Sequence, residues 1–309
     1  MKAIVFGGSG FLGSHVADAL SQRGLDIIVF DRIASPYLGN TQQMIVGNIL
    51  EAQKVSNAVM GCDYVYNFAG IADIEEALVN PPQTIEINIH CNTNILEACR
   101  QHKVKRFVFA SSIYVYSTLA PFYRSSKQAC ELIIEDYKQA YGLDYTILRY
   151  GSLYGPRASD TNFIRRIIKQ AIEEGKITRA GDGEEIRDYI HVLDAAKCSV
   201  DILSDDFKNQ HAILTGTQSS KIMDLLSMIK EMMHGQIAIE YVPKAIGNHY
   251  EITPYSFRPR VAKKYVSNSY YDLGQGILDV LYDVHESSEA SGKALTQIKQ
   301  LLEEELPRR

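Results

Sequence analysis

Short aliphatic and aromatic runs alternate with longer amphipathic stretches through the first half of the chain. Lys2–Phe6 and Asp26–Phe30 read as strands around a helix at Phe11–Arg23, and a short strand at Met44–Val46 precedes a helix at Ala52–Met60. Tyr64–Phe68 predicts a further strand, Ile85–His102 a long helix, Arg106–Ala110 a strand, Arg124–Tyr141 a helix and Tyr145–Arg149 a strand. Strands that are apolar along nearly their whole length, separated by helices, predict a parallel sheet covered on both faces. Right-handed crossovers then make it a doubly wound, Rossmann-type α/β sheet.

Beyond Tyr150 the pattern changes. Gly, Pro, Arg and Tyr cluster at Gly151–Arg157, followed by a helix at Asn162–Glu174, a turn at Gly181–Gly183, a strand at Asp188–Leu193 and a helix from near Asp194. The C-terminal third, with Pro243, Pro254 and Pro259, is more irregular. The expectation is one domain over residues 1–153 and a smaller lobe over 154–309 that caps the sheet, with the strand and helix near 185–205 returning to the first domain.

The chain has 309 residues, 46% hydrophobic and 22% charged, which is the balance of a globular protein. Its longest apolar runs, such as Ala3–Phe6 and Ile27–Phe30, fall far short of the roughly 18 residues a membrane span needs. No secretory leader is visible, so a cytoplasmic location is expected. A net charge of −5 argues against a nucleic-acid partner. The five cysteines (Cys62, Cys91, Cys99, Cys130, Cys198) are scattered, and neither they nor the histidines show metal-ligand spacing, so no disulfide frame and no metal are expected.

Between the first strand and helix lies Val5-Phe6-Gly7-Gly8-Ser9-Gly10-Phe11-Leu12-Gly13. These glycines suit a dinucleotide loop. Gly7 permits the tight turn, Gly10 lets backbone approach a pyrophosphate and Gly13 packs the helix, which Phe11 and Leu12 open with free N–H groups toward the anion. A plain strand–helix turn has the same spacing. Asp31, ending the second strand, tips the reading toward a nucleotide, because a carboxylate there accepts hydrogen bonds from ribose hydroxyls and repels a 2′-phosphate. NAD is therefore expected over NADP, with Arg32 next door as the opposing signal.

Tyr123-Arg-Ser-Ser-Lys127 is the sole YxxxK among nineteen tyrosines. Positions i and i+4 share a helix face, so phenol and ammonium can meet one cofactor, and a nearby ammonium lowers the pKa of a phenol. Upstream, Ser111 and Ser112 stand at the end of a strand, where doubly wound folds bind ligands.

Together these segments resemble extended short-chain dehydrogenases/reductases of the NAD-dependent epimerase/dehydratase family, which mostly act on nucleotide sugars. The resemblance runs through GGSGFLG, YNFAG, ASSIYVY, YRSSK, LRYGSLYGPR and GDGEEIRDYIHVLDAA. It implies an NAD-binding Rossmann domain over 1–153 and a mainly substrate-binding lobe over 154–309. It makes Ser112 the catalytic hydroxyl, Tyr123 the base and Lys127 the holder of the nicotinamide ribose. Asn48 and Ile49 take the adenine contacts, Phe68, Ala69 and Gly70 line the cofactor, Asn88 supports the site and Tyr150 flanks the nicotinamide. Arg187 matches the diphosphate arginine, Asn162 lies near diphosphate and sugar, Arg258 is a candidate second arginine with Arg260 as the alternative, and Ser152 replaces an Asn. The resemblance further implies a nucleotide-diphosphate sugar as substrate and a homodimer paired through the helices at 85–102 and 124–141.

The implied chemistry is removal of a sugar hydroxyl proton, usually at C4, as hydride passes to the nicotinamide. Dehydratases of the family follow the catalytic Ser/Thr with an acidic pair; here Ile113 and Tyr114 hold those positions, which disfavours a 4,6-dehydratase. The branch that combines 3,5-epimerisation with reduction uses a Cys where Tyr114 aligns, and is disfavoured too. A 4-epimerase or 4-dehydrogenase remains. The rivals are a reductase of a non-sugar carbonyl on the same scaffold and a non-catalytic NAD(H) sensor.

Overall fold

The computed structural model describes residues 1–217, 219–243, 263–266 and 269–290. In chain order its strands are β1 (Lys2–Phe6), β2 (Asp26–Asp31), β3 (Gln42–Val46), β4 (Tyr64–Asn67), β5 (Arg106–Ser112), β6 (Tyr145–Tyr150) and β7 (Ser152–Tyr154). Then come β8 (Lys176–Ala180), β9 (Ile186–His191), β10 (Gln210–Leu214), β11 (Ser219–Lys221), β12 (Ala238–Val242) and β13 (Lys263–Lys264). The helices are α1 (Phe11–Gln22), α2 (Ala52–Val59), α3 (Ile74–Val79), α4 (Pro81–Ile85), α5 (Cys91–Gln101) and α6 (Tyr123–Tyr141). They continue as α7 (Phe163–Glu174), α8 (Val192–Asp201), α9 (Ile222–Met232) and α10 (Leu273–Ala290).

Two compact units emerge. The first gathers Met1–Gly151, Leu193–Thr215 and the short β13. Its sheet runs β13-β10-β6-β5-β4-β1-β2-β3, and every neighbouring pair is parallel. The order reverses between β1 and β4, which makes their C-terminal ends the natural crevice of a doubly wound sheet. Alternation decides the packing: Ile4 and Phe6, Ile28 and Phe30, Phe107 and Phe109 join Val55, Val59, Ile95, Leu96 and Ile134 of the helices in one buried cluster. The second unit holds Ser152–Val192, α9, β12 and α10, with sheets β11-β9-β7 and β12-β8 around a core of Ile164, Ile168, Leu225, Ile229, Ile277 and Leu281.

The expected strand and helix near 185–205 divide. Helix α8 lies in the first unit, whereas β9 pairs with β7 and β11 in the second. The strand that extends the large sheet beyond β6 is instead β10, whose Gln210 and His211 break up an otherwise apolar run. Within the Gly151–Arg157 cluster, β7 pairs with β9, Ser152 opposite Tyr189. The single long helix expected at Ile85–His102 begins earlier, as α4, and joins α5 through a π-helical turn at Glu86–His90. Such a turn inserts an extra residue into the helical ladder and is common at functional sites. Here it turns Asn88 inward.

Candidate active site

The candidate residues of the first unit stand at the C-terminal ends of β1 to β6, except Asn88 in the π turn and Tyr123 and Lys127 on α6. Gly7 has φ +76°, and a Cβ on it would lie 2.6 Å from the Ala69 nitrogen, so the glycine loop touches the segment that leaves β4. A Cβ on Gly13 would lie 2.2 Å from the Gly7 carbonyl oxygen; the close approach of α1 to the loop requires the bare backbone. Gly10 differs: its Cβ position meets only the Gly7 oxygen, at 3.2 Å. Gly10 is also the N-cap of α1 and supplies no side-chain cap, which leaves the N–H groups at Phe11 and Leu12 turned toward an anion. This cradle fits a dinucleotide pyrophosphate.

Asp31 braces the same loop. Its carboxylate accepts from the Ser9 N–H at 3.0 Å and the Ile33 N–H at 3.4 Å, while Arg32 beside it is exposed. Asn48 is exposed and accepts from the Leu50 N–H, an Asx turn that orients the following Ile49 against the core. Phe68 stacks on Tyr66 at 6.1 Å and meets the Tyr150 ring at a tilt, 6.5 Å away. Tyr150 is buried, and its hydroxyl meets the Ser199 hydroxyl at 2.6 Å. Burial drives its pKa well above the phenol range, so it packs and does not titrate.

Asn88 holds the site from behind. Its Oδ1 accepts from the Ile71 N–H at 2.7 Å, and its amide donates to the Ile71 oxygen at 3.0 Å and to the Ser126 hydroxyl at 2.9 Å. Ser126 in turn donates to the Tyr123 carbonyl at 2.8 Å. These bonds use both N–H donors of the amide, so Asn88 ties the β4 exit to the start of α6. A Cβ on Gly70 would strike this amide at 2.8 Å.

Tyr123 opens α6 and Ser112 ends β5, both almost fully buried. The Ser112 hydroxyl accepts from the Tyr114 N–H at 3.3 Å, and the Tyr114 ring meets Tyr123 edge-on at 6.1 Å. Lys127 is 8% exposed; its Nζ donates to the Ala110 oxygen at 2.8 Å and lies 4.9 Å from the Phe109 ring centre and 5.9 Å from that of Tyr123. Burial pushes the Lys127 pKa down, against the opposing influence of Cys130 and Glu131. One of its three N–H donors is used by Ala110, which leaves donors for ribose hydroxyls.

Of the expected substrate residues, Ser152, Asn162 and Arg187 lie in the second unit. Asn162 caps α7 by accepting from the Arg165 N–H and donates to the Leu153 oxygen at 2.8 Å, so its amide already serves the local fold. Ser152 begins β7, and Arg187 is buried on β9, donating to the Ile186 oxygen at 3.0 Å. Neighbouring Asp188 accepts from the Ser219 hydroxyl. Arg258 and Arg260 lie outside the described residues. All five cysteines are buried and free of disulfides, and among the described residues no group of His, Cys, Asp and Glu has a metal-binding arrangement. No helix among the described residues is long and apolar enough to cross a membrane.

One polar cluster carried no motif in the sequence: the buried Glu131 on α6 and Arg149 on β6, with His211 on β10. Its trace is the continued spacing of four beyond Lys127, to Glu131 and Glu135.

The chain resembles known proteins along most of its length. A UDP-glucose epimerase of Bacillus subtilis, itself uncharacterised, is 27% identical over 276 residues, covering 80% of this chain and 87% of its own. A UDP-N-acetyl-α-D-glucosaminuronate decarboxylase of Bacillus cytotoxicus is 28% identical over 272 residues, covering 78% and 83%. The crystal structure of the UDP-glucuronic acid 4-epimerase of Bacillus cereus superposes with a TM-score of 0.82 at 22% identity, covering 93% of this chain and all of that one. Residues 3–214, from β1 through β10, match the profile of one family. The chain belongs to the NAD-dependent epimerase/dehydratase family.

Proposed function

We propose that the protein is an NAD-dependent nucleotide-sugar 4-epimerase or 4-dehydrogenase that oxidises a sugar C4 hydroxyl with Tyr123 as the base. The observation that carries this reading is one edge of one sheet. It presents an uncapped glycine loop after β1, Ser112 after β5 and the buried Tyr123–Lys127 pair on α6, with Ile113 and Tyr114 where a dehydratase needs acids. The relatives named above include an epimerase and a decarboxylase, which supports nucleotide-sugar chemistry and leaves the reaction type to the site itself.

NAD fits this edge. The Gly7–Gly13 loop and the start of α1 would take its pyrophosphate, Asp31 its adenosine ribose, Asn48 and Ile49 its adenine side, Phe68 to Gly70 its middle, and Lys127 its nicotinamide ribose. Bound NAD supplies the hydride acceptor. Tyr123 takes the proton from the C4 hydroxyl, and Ser112 hydrogen-bonds the same oxygen and orients it. The Lys127 ammonium stabilises the phenolate form that such a base requires. Ile113 and Tyr114 carry no carboxylate to remove a C5 proton, so the ketone is reduced again or released. Arg187 is assigned to the substrate diphosphate, and Ser152 and Asn162 to its surroundings. Pairing of two chains through α5 and α6 belongs to the same proposal; Leu132 and Tyr141 of α6 are 50% and 59% exposed.

The test is incubation of the purified protein with NAD and, separately, UDP-glucose and UDP-glucuronic acid, with products separated chromatographically. A C4 epimer or a 4-keto sugar is expected. Release of carbon dioxide from the uronic acid would replace the proposal with decarboxylation, and no change in any nucleotide sugar would favour a non-sugar carbonyl or a sensor.

A further inference from the structure

Tyr123, Lys127, Glu131 and Glu135 recur at every fourth position of α6 and so share one face. The first two belong to the proposed hydride-transfer site, and the last two have had no part in it. Glu131 is 6% exposed, and both of its carboxyl oxygens are met by donors. Arg149 donates from Nε to its Oε1 at 3.0 Å and from Nη2 to its Oε2 at 2.6 Å, while the Ser111 hydroxyl donates to Oε1 at 2.5 Å. Arg149 also donates to the Tyr116 hydroxyl and to Nδ1 of His211 at 2.9 Å. With Nδ1 accepting, His211 carries its proton on Nε2 and donates it to Glu135 at 2.9 Å. A line of polar contacts thus runs from Glu135 to Ser111, the residue before Ser112.

An apolar pair of similar volume would hold α6 against β5 and β6 about as well, because desolvating two charges offsets most of their mutual attraction. Stability alone does not account for a charged pair here, and the nearest ionisable group on this helix face is Lys127, one turn away. Lys127 is buried among Tyr123 and Cys130 on its own helix and the Ala110 carbonyl and Phe109 ring on β5. Glu131 stands one turn beyond it on α6, and Ser111, which donates to Glu131, directly follows Ala110, which accepts from Lys127. Glu131 itself faces Ser111 on β5, Arg149 on β6 and the His211 ring on β10, 3.6 Å away.

We propose that Glu131 is a positioning residue of the hydride-transfer site, clamped by Arg149 and Ser111 so that its carboxylate keeps Lys127 charged and seated against Ala110. The inference rests on the assignment of Lys127 to the nicotinamide ribose.

The experiment measures NAD affinity against pH for the whole protein by calorimetry, which needs no sugar substrate. Wild-type affinity should fall on the alkaline side as Lys127 loses its proton, and Lys127→Met should abolish that fall. In Glu131→Gln the fall should come about one pH unit lower, whereas Glu131→Asp, which keeps the charge, should stay close to wild type. Glu131→Gln leaves Arg149 uncompensated and risks misfolding, so Glu131→Gln/Arg149→Met removes both charges together and should show a displacement in the same direction, smaller because the opposing Arg149 charge goes with it. A folded Glu131→Gln or double variant whose alkaline fall coincides with that of wild type overturns the proposal, however much its melting temperature drops. A fall that survives in Lys127→Met overturns the ribose assignment itself, and this inference with it.

Discussion

The two ends of α6 treat charge in opposite ways. Toward its N-terminus, Lys127 and Glu131 are buried, and each is met by groups from the sheet. Toward its C-terminus, Lys138 bonds Asp144 at 2.5 Å, and Asp144 also receives Lys208 at 2.7 Å and Asn209 at 3.0 Å, with both lysines well open to water. The chemistry of the pairs is alike, but the solvent is not. At the wet end a broken pair is replaced by water; at the dry end it leaves an ion with nothing to solvate it. Buried charge is costly to disturb, and here it lies next to the proposed chemistry.

The largest expected effect tests whether the dry end carries the chemistry. Tyr123→Phe should lower turnover by about 10²–10⁴ while NAD binding stays within a few-fold, since the ring remains and only the acid/base group is lost. Steady-state turnover beside calorimetric binding decides it, and near-normal turnover would remove Tyr123 as the base. Next comes Arg149→Met, which strands Glu131 and should cost about 3–5 kcal/mol in denaturant unfolding. If that variant proves as mild as a change at Asp144, the contrast between the two ends fails.

Gly13→Ala probes the loop and not the helix. Its Cβ would lie 2.2 Å from the Gly7 oxygen, and backbone must move, so a loss of about 1–3 kcal/mol in stability and a weaker NAD isotherm are expected. Thermal unfolding with and without NAD checks both.

The smallest effect belongs to the wet end. Asp144→Asn should cost at most about 1 kcal/mol at neutral pH. Partial burial pushes the Asp144 pKa up, but hydrogen bonds from Lys138, Lys208 and Asn209 outweigh it and bring the pKa down to about 2. Because that folded value lies below the unfolded carboxyl value of about 3.9, the stabilisation is full above pH ~4 and is lost as pH falls toward 2. The gap between wild type and variant should therefore narrow across that window in acid unfolding. A gap that stayed constant would assign the effect to packing.

Much of the first unit was legible in the residues. Strands β1, β2, β4, β5 and β6 appear where the apolar runs stand, within a residue or two at their ends, because a parallel strand covered on both faces must be apolar throughout. Less was legible where one residue has two possible uses. Asn162 matched a substrate contact, yet its amide caps α7 and binds Leu153. The apolar periodicity of 85–102 was real, but it did not reveal the π turn that aims Asn88 at Ile71 and Ser126.

By itself the sequence determined what is local and periodic: the alternation of strand and helix, the glycine loop that only bare backbone can form, and the spacing that puts Tyr123 and Lys127 on one helix face. Tertiary structure alone decided what depends on distant partners. It chose β10 over β9 as the strand beside β6, and it brought the buried Glu131–Arg149 ion pair and the His211 ring together from three elements. The physical reason is the same in both cases. A backbone preference is expressed within a few residues, whereas the worth of a buried charge depends on what the fold places against it.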